Sequence, residues 1–342
     1  MYKLKQLPED FIVREIADVP VRNSGRYLYI RLTKKGWNTL DVVKKLSAIL
    51  NIPEKKIGFA GSKDKHALTE QMLSLDGVGK DRIAMVQISD VHLQFLGYAD
   101  VPLSLGDLKG NAFEIVVRNL EHDTIVTPIS QVENYFDEQR FGTSNMAIGR
   151  QLIKKDFFGA LQLIDNPLCQ RYLKHYPNDA VGALKKLPTR LLRLYINSYQ
   201  SYIWNETLAL YLRRKGKIIK EVPYSDGILV FTKEIYPNLE IPLVGFNTPT
   251  STNAEINTII ADLIKQQNVT TNDFIIKQIP ELTLEGEMRK GFAEIADLKI
   301  DKFENDELNA GKKKVLISFA LGKGSYATMV IRTILNYNSG TK

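Results

Sequence analysis

From about Met146 to Gln267 the apolar residues of this 342-residue chain recur mostly at helical spacing, and text with the character of strands stands on both sides of that region. The helical pattern is clearest in Ile148 to Leu163, Arg190 to Leu212 and Ala254 to Gln266. Before it, Phe11-Ile12-Val13, Tyr27 to Leu32, Val91 to Leu96 and Phe113 to Val117 are rich in β-branched and aromatic residues, as strands are. One helix interrupts these runs: Asn38 or Thr39 can cap it, Leu40, Val43, Leu46 and Leu50 follow at helical spacing, and Pro53 ends the pattern. After the helical region come strand-like runs at Phe292 to Ile300 and Val315 to Phe319, then a last helix from about Ala327 to Leu335. The two flanks therefore complete one sheet together. The fold class expected is α+β, a mixed-sheet domain over residues 1–145 and 291–342, interrupted by a largely helical α+β insertion domain over residues 146–290. A hydrophobic content of 44% over this length suffices for two cores.

A formal charge of +7 suits a nucleic-acid partner through phosphate neutralisation, although many basic proteins bind none. The basic run Lys312-Lys313-Lys314 reads as a solvated turn or face, with a phosphate contact as its second reading. No apolar run has the length of a membrane span, and Met1 to Gln6 lacks the hydrophobic core of a signal peptide, so a soluble cytoplasmic protein is expected. Cys169 is the one cysteine, which excludes an internal disulfide framework and a thiolate-cluster zinc site. The histidines at 66, 92, 122 and 175 lack the i, i+4 spacing that places two imidazoles on one helix face. No dedicated metal site is expected.

Gly58 to Gln71 (GFAGSKDKHALTEQ) sets one acid, Asp64, between Lys63 and Lys65 in a turn that follows the strand-like run Ile57 to Ala60. The glycines let the backbone approach a partner closely, and a carboxylate so flanked is expected to stay ionised. By itself an Asp in such a turn is turn chemistry; the catalytic reading needs support from the rest of the chain. Leu321-Gly322-Lys323-Gly324-Ser325 imitates a phosphate loop. Gly324 stands where that loop requires Ser or Thr, and Ile317 where it requires its first Gly, so a nucleotide-hydrolysing loop is rejected in favour of a strand-to-helix turn. No glycine fingerprint for a dinucleotide or methyl-donor cofactor follows an early strand, and cofactor-free chemistry is favoured. Tyr195, Tyr199, Tyr202 and Trp204 form either a stacking surface for bases or, more simply, core packing at near-helical spacing. Asn134 to Gly142 (NYFDEQRFG) reads as a domain junction held by packing and an arginine ion pair.

Taken together, these segments resemble the TruD family of tRNA pseudouridine synthases. The motifs that carry the resemblance occur in the family's order: Lys5 with Pro8 to Glu15 (PEDFIVRE), Gly58 to Gln71, Gly110-Asn111-Ala112-Phe113, Asn134 to Gly142, and Gly324 to Thr328 (GSYAT). The helical middle matches in type and position more than in sequence, apart from a segment near Ser201 to Glu206. The resemblance implies isomerisation of uridine to pseudouridine, with position 13 of tRNA as the usual site, without a cofactor. It implies for Asp64 the role of the family's catalytic aspartate, and for Phe11, Asn111 and Tyr326 contacts to the substrate. Tyr326 stands where relatives often carry Phe. Phe113 is expected as a pocket wall, and Lys5 and Arg332 as partners of Asp64 or of a phosphate. The implied partner is tRNA, bound in a basic cleft; no membrane and no obligate protein partner are inferred.

Two other classes compete. A non-catalytic RNA-binding protein of the same fold has no use for an acid that repels phosphate in its cleft, so Asp64 beside Asn111 argues against it. A cofactor-dependent RNA methyltransferase requires a glycine loop that the sequence lacks.

Overall fold

The computed structural model of the protein describes residues 2–19 and 21–336. The chain divides into two compact units. One is built from the stretch ending at Ser130 together with Glu294–Ala327; the other comprises Gln131–Ala293 and the stretch that starts at Thr328.

In chain order the first unit contains β1 (Phe11–Ile16), β2 (Tyr27–Lys35), α1 (Thr39–Leu50), β3 (Ile57–Phe59), β4 (Leu68–Asp76), α2 (Lys80–Ala84), β5 (Val91–Ala99) and β6 (Gly110–Leu120). The second unit follows with β7 (Gln131–Glu133), α3 (Glu138–Phe141), α4 (Asn145–Ile153), α5 (Phe157–Leu163), α6 (Pro167–His175), α7 (Ala180–Leu184), α8 (Thr189–Lys215), β8 (Ile218–Tyr224), β9 (Gly227–Thr232), β10 (Glu240–Leu243), α9 (Ala254–Gln266) and β11 (Glu287–Lys290). The chain then returns through β12 (Phe292–Ile300), β13 (Glu304–Asn305) and β14 (Lys313–Gly322), and ends its described part in α10 (Ala327–Asn336).

The sheet of the first unit runs in the order β5-β2-β4-β1-β6-β14-β12, with β3 on β4 and β13 on β14. Only the β1–β4 contact is parallel among these described pairs; the others are antiparallel. The α+β class is thus met, with a mixed sheet assembled from both flanks of the chain. Its core lies on one face, where Leu28, Ile30 and Leu32 of β2 and Leu73 and Leu75 of β4 pack against Val42, Val43, Leu46 and Leu50 of α1. Each such side chain contributes about 1.5–3 kcal/mol when fully removed from water.

Three local readings change. Leu40 is 39% exposed, and Thr39, Val42, Val43, Leu46 and Leu50 form the buried stripe of α1. At 3.6 residues per turn, Leu40 points roughly 100° away from that stripe. The helical text from Ile148 to Leu163 is broken into α4 and α5. Lys155 takes the left-handed backbone, with φ of 60°, and Asp156 caps α5 by accepting from the Gly159 N–H at 2.8 Å. Lys312, Lys313 and Lys314 are not a free turn: half-buried, they lead into β14, and their ammonium groups meet Glu121 (2.5 Å), Asn305 (2.8 Å) and Glu307 (2.7 Å). Acceptors from β13 and from the residues that follow β6 and β13 fix them, because β14 pairs with both β6 and β13 at Lys313. In α8, Tyr195, Tyr199 and Trp204 are core residues, with the Trp204 indole donating to the Ile241 carbonyl at 3.1 Å. Gly322 to Ala327 is the strand-to-helix turn expected, with Gly324 at a φ of 82°.

Candidate active site

Cross-strand register puts an unusual row of residues on the α1 face of the sheet. Lys34 of β2 pairs with Thr69 of β4, Thr69 with Val13 of β1, Val13 with Phe113 of β6, and Phe113 with Phe319 of β14. Directly opposed residues share a face, so this row is continuous across five strands. One step along, Glu15 of β1 faces Asn111 of β6, which faces Leu321 of β14. The face is apolar at one end and turns polar where Lys34, Thr69, Gln71, Glu15 and Asn111 meet. Over that polar end runs the turn of residues 60–67 between β3 and β4.

Side chains of the face and of α1 hold the turn. Gln71 donates to the Gly61 carbonyl at 3.0 Å and accepts from the Thr39 hydroxyl at 2.7 Å; that hydroxyl oxygen accepts from the Lys63 backbone N–H at 2.9 Å. The Lys34 side chain is fully buried, and its ammonium donates to the carbonyls of Trp37 (2.6 Å), Lys63 (3.3 Å) and Asp64 (2.9 Å). Burial pulls the Lys34 ammonium down from 10.5 to about 8, against the opposing pull of the Asp64 charge. The Lys63 ammonium lies 3.0 Å from Glu15 Oε2 and 2.7 Å from Asn111 Oδ1.

These anchors leave the Asp64 carboxylate part-exposed above the turn, at 30% of its side-chain surface. The Lys5 ammonium donates to Asp64 Oδ2 at 2.7 Å and lies 4.3 Å from the centre of the Phe11 ring. Lys5 has a φ of 58°, in the left-handed region that a residue with a side chain seldom occupies. The segment carrying it is fixed by a two-way backbone bridge between Lys3 and Arg118. Arg118 is itself buried among Asp10 (2.8 Å), Asp306 (3.0 Å) and Glu307 (3.0 Å). Burial works to raise the Asp306 carboxyl, but hydrogen bonds from the Asn119 N–H, the Asn309 amide, the Leu308 N–H and Arg118 hold it down at about 2.

The residues expected at the site fall in three places. Lys5, Asp64, Phe11, Asn111 and Phe113 are linked in the first unit by the contacts above. Phe11 and Phe113 are 4% and 7% exposed and meet edge to face at 6.3 Å, with Phe113 continuing to Phe319 at 5.4 Å. Tyr326 is part-buried in the turn between β14 and α10. Arg332 belongs to the second unit, where its guanidinium pairs with Asp137 at 3.2 Å. Sequence reasoning missed Lys34, Glu15, Thr39 and Gln71. Their signal was available in the period of two: Leu28, Ile30, Leu32 and then Lys34, or Phe11, Val13 and then Glu15, put charges at positions where alternation demands a core residue. Among the described residues, no group of three or more His, Cys, Asp or Glu could hold a metal ion.

The turn thus presents a carboxylate paired with one ammonium, backed by a second and flanked by an amide. Comparison with known proteins bears on what such a site belongs to. The family model described as tRNA pseudouridine synthase D (TruD) matches residues 2–168, 166–239 and 232–334. The chain is 30% identical to the probable tRNA pseudouridine synthase D of Methanosarcina mazei, covering 98% of this chain and 93% of that protein. It is also 30% identical to the tRNA pseudouridine synthase D of Aquifex aeolicus, covering 97% of each. The crystal structure of the putative tRNA pseudouridine synthase D from Methanosarcina mazei superposes with a TM-score of 0.67 at 28% identity, over 97% of this chain and 93% of that one. Matches that run through every segment of the fold, from the Lys5 region to α10, mean that this chain belongs to the TruD family of tRNA pseudouridine synthases.

Proposed function

We propose that the protein isomerises uridine to pseudouridine in tRNA, at position 13, with Asp64 as the catalytic carboxylate. In this reading residues 1–145 and 291–342 make the catalytic domain and residues 146–290 the insertion. The observation that carries it is the Asp64 turn: a part-exposed carboxylate held 2.7 Å from the Lys5 ammonium, on a backbone fixed from below by the buried Lys34. A turn that served only to join β3 to β4 would have no use for a buried charge beneath it, which costs several kcal/mol unless it is fully hydrogen-bonded.

The reaction breaks the bond from C1′ to N1, turns the uracil in place, joins C5 to C1′ and moves the C5 proton to solvent while N1 gains one. Atoms balance without oxidant or cofactor. A carboxylate serves such a reaction by adding to C1′ as a nucleophile, or by taking a sugar proton as the base of a glycal route. In both, Lys5 holds Asp64 in place through their 2.7 Å contact. The target base must leave its stack to reach Asp64, and unstacking costs a few kcal/mol that a pocket has to return. Asn111 supplies an amide for that purpose, and Tyr326 an aromatic face.

The test is pseudouridine mapping on tRNA from cells lacking the protein. Loss of pseudouridine 13, restored by the wild-type gene and not by Asp64→Asn, supports the assignment. Unchanged modification at that position contradicts it.

A further inference from the structure

Glu15 and Asn111 are direct cross-strand partners, and the Lys63 ammonium reaches both, at 3.0 Å from Glu15 Oε2 and 2.7 Å from Asn111 Oδ1. Lys63 is the residue before Asp64 in the turn. The Lys63 and Glu15 side chains are only 6% and 1% exposed, and Glu15 Oε1 also accepts the Met72 backbone N–H at 3.2 Å, so the pair cannot swing away. An ammonium has three donors and no acceptor. Asn111 must therefore turn its carbonyl oxygen to Lys63; the flipped amide would set N–H groups against N–H groups in a largely buried place. That chemistry fixes an orientation which an amide alone leaves open. The opposite end, the Asn111 NH2, makes no hydrogen bond to protein among the described residues, and Asn111 is part-exposed.

We propose that Lys63, held by Glu15, is the positioning residue that locks the Asn111 amide with its NH2 outward, so that Asn111 reads the target pyrimidine as a donor to one of its carbonyl oxygens. This rests on the reading of Asp64 as the catalytic residue. Because Lys63 and Asp64 are consecutive, one turn then sets both the carboxylate and the donor that holds the base while it rotates. The substrate feature recognised is a ring carbonyl; a ring bearing an amino group at that place would meet donor with donor.

The experiment is a mutant cycle read as single-turnover rate at saturating enzyme. Lys63→Met is combined with Glu15→Gln, so that no uncompensated buried carboxylate remains, and thermal unfolding checks that the fold survives. On tRNA carrying uridine, the pair of substitutions is expected to slow turnover about 10-fold, as loss of one oriented hydrogen bond in the transition state does. Dissociation constants for tRNA stay within about 2-fold, since no phosphate contact is removed. Asn111→Ala is expected to slow turnover by a similar factor, and adding it to the pair to cost nothing further, because Lys63 and Glu15 act through Asn111. Replacing the reading carbonyl oxygen by sulfur, a weaker acceptor, with 2-thiouridine and 4-thiouridine tested in turn, slows the wild type and leaves Asn111→Ala unaffected. Losses that multiply in the triple variant, or equal sensitivity of wild type and Asn111→Ala to both thio-substitutions, overturn the proposal. If Asp64→Asn retains activity, the underlying catalytic reading fails instead, which separates the two outcomes.

Discussion

The Lys34 ammonium donates to the Asp64 carbonyl oxygen at 2.9 Å from a position with no exposed surface. The same group bonds the carbonyls of Trp37 and Lys63, so one charge organises three peptide units around the turn. Lys34→Met removes all three bonds and leaves buried carbonyls without partners, at about 1–3 kcal/mol each. The expected outcome is a large fall in single-turnover rate with tRNA affinity close to wild type, measured by rapid quench and filter binding. A variant that turns over at the wild-type rate would show that the turn holds its shape without Lys34.

The same burial gives a pH dependence. Lys34 titrates at about 8 in the fold and at its ordinary 10.5 in the unfolded chain. Between those values the unfolded state binds more protons, so stability rises with pH across the window, by about 1.4 kcal/mol per pH unit at most. Relative to Lys34→Met, the wild type should gain stability from pH 8 toward pH 10.5 in urea titrations. A flat difference between the two proteins contradicts the buried charge.

In the second unit Glu133 is 2% exposed and accepts the Thr232 backbone N–H at 2.9 Å. Burial pushes its carboxyl up from 4.5 to about 7. Here the folded state binds the extra proton, so the contribution is greatest below pH 4.5 and is lost as pH rises through 7. Glu133→Gln keeps the acceptor and removes the charge. Its melting temperature should exceed that of the wild type at pH 8 and converge with it at pH 5, and an equal gap at both pH values would contradict the assignment.

Phe11 tests the packing under Lys5. Its ring is 4% exposed against Phe113, with the Lys5 ammonium 4.3 Å from its centre. Phe11→Ala should cost about 3–5 kcal/mol of stability and obscure any effect on chemistry. Phe11→Leu retains most of the burial while removing the π face, and is expected to slow turnover with a modest drop in melting temperature. Wild-type turnover in Phe11→Leu would show that the ring does not help place Lys5.

Much of this was legible in the residues. The return of strand-like text after Phe292 foretold that two distant flanks share a sheet, because alternation of period two survives any length of insertion. The Asp64 turn was visible because glycines and charges concentrate there. What holds the turn was not, since Glu15, Lys34 and Gln71 lie on three strands that meet only through register, and Thr39 reaches them from the start of α1. Leu40 misled because two stripes of a short helix differ by one residue in phase, and Lys155 broke a helix with no glycine or proline to announce it. The partners of Lys312, Lys313 and Lys314, namely Glu121, Asn305 and Glu307, come from three places that residue spacing does not bring together.

The central claim is that the Asp64 carboxylate performs the chemistry while other groups bind the tRNA. Asp64→Asn changes one oxygen to an amide nitrogen and keeps the shape, so the measurement that bears most directly on it is pseudouridine formed at position 13 of unmodified tRNA by this variant in a single turnover. The account predicts no product above background, with a dissociation constant for tRNA within about 3-fold of wild type, because removing a negative charge cannot weaken phosphate contacts. Product at a rate near that of the wild type would contradict it.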